Sequence, residues 1–159
     1  MKTVVLIPAR YASTRYPGKP LATLTQKDGS SKSLIQMSFE AASQIAGVSE
    51  VYVVTDDDRI REAAEAFGAP VIMTSPDREN GTARCAEAVK VAQLDADLIV
   101  NFQGDAPLTP PWFVEDLIAG MVADASAQMA TPVLQCDPTT YAMFKEDRAN
   151  GRVGGTTVV

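Results

Sequence analysis

Short apolar runs rich in β-branched residues recur along this chain, and helical periodicity fills the segments between them. The runs are Val4-Val5-Leu6-Ile7, Val51-Tyr52-Val53-Val54, Val71-Ile72-Met73 and Leu98-Ile99-Val100. A strand with no polar alternation must be covered on both faces, as strands of parallel sheets are when helices make the crossovers. The pattern therefore predicts strands over 2–8, 50–55, 71–73, 97–101 and 128–134. It predicts helices over 34–46, 58–67, 82–94, 111–123 and 139–146, with residues 9–32 mostly loop. In the first helix Leu34, Met37, Ala41 and Ile45 share a face, Ser33 is the expected N-cap and Gly47 the stop. In the second, Ile60, Ala63, Ala64 and Phe67 share a face and Gly68 ends it. The expectation is an α/β three-layer sandwich with a mostly parallel sheet, Rossmann-like in its winding.

The 159 residues suffice for one domain with a sizeable core, spanning 1–159. The last residues, Gly155-Thr156-Thr157-Val158-Val159, read as a strand that stops mid-element, so a fragment of a longer chain is expected. No run of about 18 apolar residues exists. Lys2 is followed by only five residues before Pro8, four of them apolar, too few for a signal-peptide core, so the expected compartment is the cytoplasm. Cys85 and Cys136 lack the paired spacing of a zinc site and are expected to be reduced packing residues. The absence of histidine removes every imidazole base, triad or His-based zinc site.

Charge is unevenly spread. Of 14 cations, Lys2, Arg10, Arg15, Lys19 and Lys27 precede the first acid, Asp28; the remaining 9 meet all 20 acids, a balance of −11. Such an acidic body disfavours nucleic acid and anionic membranes. Arg10, Arg15 and Lys19 lie in an acid-free loop directly after the first strand, where open α/β sheets bind ligands. Arginine forks grip phosphate oxygens in pairs and lysine adds a point charge, so the three suit one small polyanion. Pro17-Gly18 suits a sharp turn beside it. The segment is not a P-loop, and no G-x-G-x-x-G follows the strand.

Ile7-Pro8-Ala9-Arg10-Tyr11-Ala12-Ser13-Thr14-Arg15 with Pro17-Gly18-Lys19-Pro20-Leu21 resembles the opening signature of the 3-deoxy-manno-octulosonate cytidylyltransferases, the CMP-Kdo synthetases. Asn101-Phe102-Gln103-Gly104-Asp105-Ala106-Pro107-Leu108 resembles their Gln-Gly-Asp-Glu-Pro metal loop, with Ala106 where the family carries Glu. Asp77-Arg78-Glu79-Asn80-Gly81-Thr82-Ala83-Arg84 is similar to their Ser-Gly-Thr-Glu-Arg segment, with Asn80 for Ser and Ala83 for Glu. The resemblance implies a nucleotide-diphospho-sugar transferase-like fold and a reaction of CTP with Kdo that yields CMP-Kdo and pyrophosphate for lipopolysaccharide biosynthesis. It implies triphosphate contacts for Arg10, Arg15 and Lys19, with the Ala9 backbone close to the nucleotide. It implies Mg²⁺ on Asp105, a sugar contact for Gln103, and nucleotide contacts for Gly81, Thr82 and Arg84. It also implies a homodimer of a longer chain, whose C-terminal part brings a second metal-binding Asp and most sugar contacts.

Other readings stand beside these. The sugar acid can be a different one, the chain can bind CTP without turnover, or its basic loop can meet an acidic partner protein. Asn80 and Thr82 can be ordinary helix caps, and Arg84 a structural ion-pair partner. Thr55-Asp56-Asp57-Asp58 holds three acids where a helix begins; capping and the helix dipole explain them better than a metal cluster. Trp112 and Phe113 are expected to anchor a helix in the core.

Overall fold

The computed structural model describes residues 1–12 and 16–152. Strand β1 (Thr3–Pro8) leads into a 3₁₀ turn at Lys19–Leu21 and a small hairpin, β2 (Thr23–Thr25) with β3 (Ser31–Ser33). Helix α1 (Leu34–Ala42) follows, then β4 (Val48–Thr55), α2 (Asp58–Ala66), β5 (Val71–Met73) and α3 (Gly81–Val91). Last come β6 (Leu98–Asn101), α4 (Pro111–Ala123) and α5 (Pro138–Ala149).

Four strands form one parallel sheet in the order β5-β4-β1-β6. β1 pairs with β4 on one edge and with β6 on the other, and Val4, Val5, Leu6 and Ile7 are fully buried. Side chains alternate across a strand, so neighbours along β1 enter different layers. Val5, Ile7 and Val53 pack with Ile35 of α1, Ile60 and Ala64 of α2 and Val114 of α4. Val4, Leu6 and Val54 pack with Cys85 and Ala88 of α3. Each fully buried Leu or Ile contributes about 1.5–3 kcal/mol. Helices thus cover both faces of a parallel sheet, as the uninterrupted apolar runs require.

The chain runs β1 to β4 to β5 in one direction, then α3 carries it back past β1 to β6 on the far side. That reversal makes a crevice outside the carboxyl ends of β1 and β6, the usual ligand position in open α/β sheets.

Several local expectations change. α1 ends at Ala42, short of residue 46: the Ser43 hydroxyl donates to the Phe39 carbonyl (2.7 Å), and Gln44 and Ile45 close tighter i,i+3 bonds. Ile45 is buried all the same. The hairpin in the expected loop 9–32 escapes the pattern because Thr-Leu-Thr and Ser-Lys-Ser are short and polar. The strand expected over 128–134 does not form. Pro132 has no N–H for a ladder, no described strand lies beside the segment, and Met129, Val133 and Leu134 are exposed. The strand expected over 155–159 lies outside the described residues. α5 outruns its expected end and is capped by Asp137, which accepts from the Thr140 amide (2.9 Å). Trp112 is 58 % exposed and stacks edge-on with Phe113; Val114 is the residue of that turn that enters the core. No helix among the described residues is long and apolar enough to cross a membrane.

The thiols differ. Cys85 sits in the α3 layer, where burial pushes its pKa up to about 12, whereas Cys136 is exposed and not a packing residue. A thiol buried this way reacts poorly, because the thiolate is the nucleophile. Native protein at pH 8 is expected to take up one equivalent of iodoacetamide, at Cys136, and two in denaturant, read by mass spectrometry.

Candidate active site

Two loops meet in the crevice, one from β1 and one from β6. The first leaves the sheet at Ala9, whose amide still donates to the Val54 carbonyl (2.9 Å). Ala9 is buried and Arg10, next in line, is exposed. The loop closes where the Gly18 amide donates to the Tyr11 carbonyl (2.9 Å). Gly18 has φ +71°, the left-handed region that favours glycine, and begins the 3₁₀ turn that presents Lys19. Arg15 lies outside the described residues.

The second loop is held at three points. The Phe102 amide donates to the Leu6 carbonyl (2.9 Å), and its buried ring joins the core. The buried Ser38 hydroxyl of α1 donates to the Gly104 carbonyl (3.0 Å). Gly104 itself lies so close to β1 that a Cβ there would meet the Pro8 carbonyl oxygen at 3.1 Å. These ties aim Asp105 at Lys19, and the Nζ–Oδ2 distance is 2.5 Å.

Both partners are about half exposed. An exposed ion pair contributes about 0–1 kcal/mol, little enough for a ligand to replace. The pair faces an open cavity of about 790 Å³, within the range that holds a nucleotide-sized molecule. Ala9, Arg10, Lys19, Gly81, Arg84, Gln103 and Asp105 all line it. Thr82 does not; its hydroxyl accepts from Asn101 Nδ2 (3.2 Å). Asn101 also accepts from Gln103 Nε2 (3.3 Å), so Thr82, Asn101 and Gln103 form one polar chain along the rim.

The start of α3 supplies the opposite wall. Asn80 is its N-cap, accepting from the Ala83 amide (2.9 Å), which settles that residue's capping role. Arg84 is only 3 % exposed, and its guanidinium is largely engaged. It lies 3.1 Å from Asp56 Oδ1 as an ion pair without a directed hydrogen bond, and donates to Thr74 Oγ1 (2.6 Å). The three acids after β4 thus divide. Asp56 pairs with Arg84, while Asp57 caps α2 through the Arg59 amide (3.0 Å) and Asp58 begins the helix. Among the described residues no three acidic, cysteine or histidine side chains gather as a metal cluster.

Sequence reasoning assigned no role to Tyr16, Arg78 or Glu79, which also line the cavity. Arg78 is paired with Glu87 at 3.0 Å and adds a further cation to the cavity lining. A charged pair immediately before a helix cap was the available signal.

A profile of the cytidylyltransferase family matches residues 4–146. The chain is 46 % identical over 159 residues to a 3-deoxy-manno-octulosonate cytidylyltransferase of Maricaulis maris, covering all of this chain and 60 % of that one. It is 48 % identical over 120 residues to an 8-amino-3,8-dideoxy-manno-octulosonate cytidylyltransferase of Shewanella frigidimarina, covering 75 % and 47 %. A solved CMP:2-keto-3-deoxy-manno-octonic acid synthetase complexed with CTP superposes with a TM-score of 0.73 at 45 % identity, over 79 % of this chain and 49 % of that one. The chain therefore spans about half the length of the relatives it matches.

Removing Arg84 leaves Asp56 uncompensated in a largely buried place. Arg84→Met is expected to lose about 3 kcal/mol of stability. Adding Asp56→Asn should restore part of that loss, both measured by urea unfolding.

Proposed function

The chain belongs to the cytidylyltransferase family, and on that premise we propose that it forms the nucleotide-binding part of an enzyme that couples CTP to Kdo. The products are CMP-Kdo and pyrophosphate, for lipopolysaccharide biosynthesis. The carrying observation is the meeting of the β1 and β6 loops at the sheet's reversal, with Lys19 beside Asp105 in a cavity of nucleotide size. The names of the relatives, and the CTP complex of the solved synthetase, support this reading.

Arg10 and Lys19 are assigned to the triphosphate, together with Arg15. Their charges offset the negative charge that moves onto pyrophosphate as the sugar hydroxyl attacks the α-phosphorus in line. The Ala9 backbone, Gly81, Thr82 and Arg84 are assigned to the nucleotide and Gln103 to the sugar acid. Arg84 does so mainly by bracing the wall, since its guanidinium is already held by the Asp56 ion pair and the Thr74 hydrogen bond. The chain has no histidine to take the hydroxyl proton.

Asp105 fits a hard cation. Its carboxylate lines the cavity and already accepts one positive charge, the Lys19 ammonium. We assign Mg²⁺ to it, an ion that needs only one or two protein carboxylates beside phosphate oxygens and water. A bound divalent cation supplies charge that stabilises the phosphate oxygens and the leaving pyrophosphate. Residues 1–159 are assigned to a single nucleotidyltransferase domain, and the longer protein to a homodimer in the cytoplasm, where CTP is drawn from the nucleotide pool. Near-equal identity to a relative named for the 8-amino sugar favours that acid as the second reading. Rates of the longer protein with the two sugars would separate them.

Calorimetric titration with CTP, UTP, ATP and GTP, each with Mg²⁺, tests the nucleotide half. CTP should bind most tightly, and Lys19→Ala should weaken it about tenfold or more, the loss of one charge-assisted contact. Asp105→Asn should remove most of the Mg²⁺ dependence. Equal binding of all four nucleotides, or of none, contradicts the assignment.

A further inference from the structure

We propose that Arg59 of α2 is a positioning residue for the anion-binding loop, acting through the ring of Tyr11; this rests on the nucleotide site assigned above. Arg59 does not line the cavity. Its guanidinium carbon lies 3.3 Å from the centroid of the Tyr11 ring, well inside cation–π range. Although 58 % of its side chain is exposed, the guanidinium is fixed. Asp57 takes it in a two-pronged grip, Nε to Oδ1 at 2.9 Å and Nη2 to Oδ2 at 2.6 Å. That hydrogen bond holds the Asp57 carboxyl below its ordinary pKa, so the grip persists throughout the neutral range. Asp57 is in turn fixed as the N-cap of α2.

Tyr11 is the joint of the loop. Its half-buried ring packs on the core, and its carbonyl accepts from the Gly18 amide (2.9 Å). Gly18 is buried against the ring: a Cβ there would meet Tyr11 Cε2 at 2.9 Å and the phenol oxygen at 3.2 Å. Arg10 immediately precedes Tyr11 and Lys19 immediately follows Gly18, and these are the two described cations that this loop gives to the cavity. A line of fixed contacts therefore runs from the N-terminus of α2 through Asp57, Arg59 and Tyr11 to Gly18. It fixes where both cations emerge before any ligand arrives. Pre-ordering of this kind raises affinity by lowering the entropy lost on binding.

Arg59→Gln keeps a polar side chain on the exposed helix but removes the cation and the fork. Two measurements on the chain test the proposal. Without nucleotide, hydrogen exchange at the Gly18 amide should quicken about two- to fivefold in Arg59→Gln, the scale of an exposed cation–π contact. Amides of β1 should keep their rates. With CTP and Mg²⁺, Kd should rise by about the same factor, and Arg59→Lys, which keeps a cation over the ring, should recover most of it. Arg59→Gln should add nothing further in a Tyr11→Leu background, because the effect passes through the ring. Unchanged Gly18 exchange in Arg59→Gln overturns the proposal. So does an equal CTP loss with and without the Tyr11 ring, which would make Arg59 a direct ligand contact. If the parent chain binds no CTP, the nucleotide assignment fails by itself and Gly18 exchange still decides the role of Arg59.

Discussion

Everything at the site depends on β1 being hydrogen-bonded in parallel on both edges and buried on both faces. Pairing with β4 and β6 leaves no choice of level for the neighbouring strand ends. The loop leaving β1 and the loop leaving β6 must start side by side. Each is then held where it starts, one through Ala9 to Val54 and the other through Phe102 to Leu6 and Ser38 to Gly104. A cation-bearing loop and a carboxylate-bearing loop converge because the sheet leaves them nowhere else to go.

Two ion pairs at this site have different physical weight. Lys19–Asp105 is half exposed, contributes little to stability and faces open space, so its partners can exchange each other for a polyanion and a cation. Arg84–Asp56 is withdrawn from solvent, and breaking it strands a charge. The first suits a function that forms and releases charged ligands. The second suits a wall that must keep its shape while they pass. Burial, rather than charge type, separates the two roles.

The strands of the main sheet were legible because burial on both faces leaves an unmistakable mark, a run such as Val4 to Ile7 with no polar break. The caps at Ser33 and Asp57 were legible because their chemistry is local. The hairpin was not, since three-residue polar strands carry no period. Nor was the fate of 128–134, where propensity alone suggests a strand but no described neighbour completes a ladder. At the site, motif order identified Lys19 and Asp105, and folding brought them together across 86 residues. The Arg59–Tyr11 contact was illegible: an arginine on an exposed helix and a tyrosine in a loop show no relation in one dimension. Trp112 misled for the reverse reason, as its size implied burial that its helix face does not provide.

The central claim is that the crevice between the ends of β1 and β6 is where the nucleoside triphosphate sits. Mapping backbone amide chemical shifts during titration with CTP and Mg²⁺ tests it most directly. The account predicts the largest changes at Ala9, Arg10, Lys19, Gly104 and Asp105, with β5 and α5 unmoved. Changes centred instead on the smaller hollow bordered by Lys32, Glu40 and Thr109, or none at saturating CTP, would contradict it.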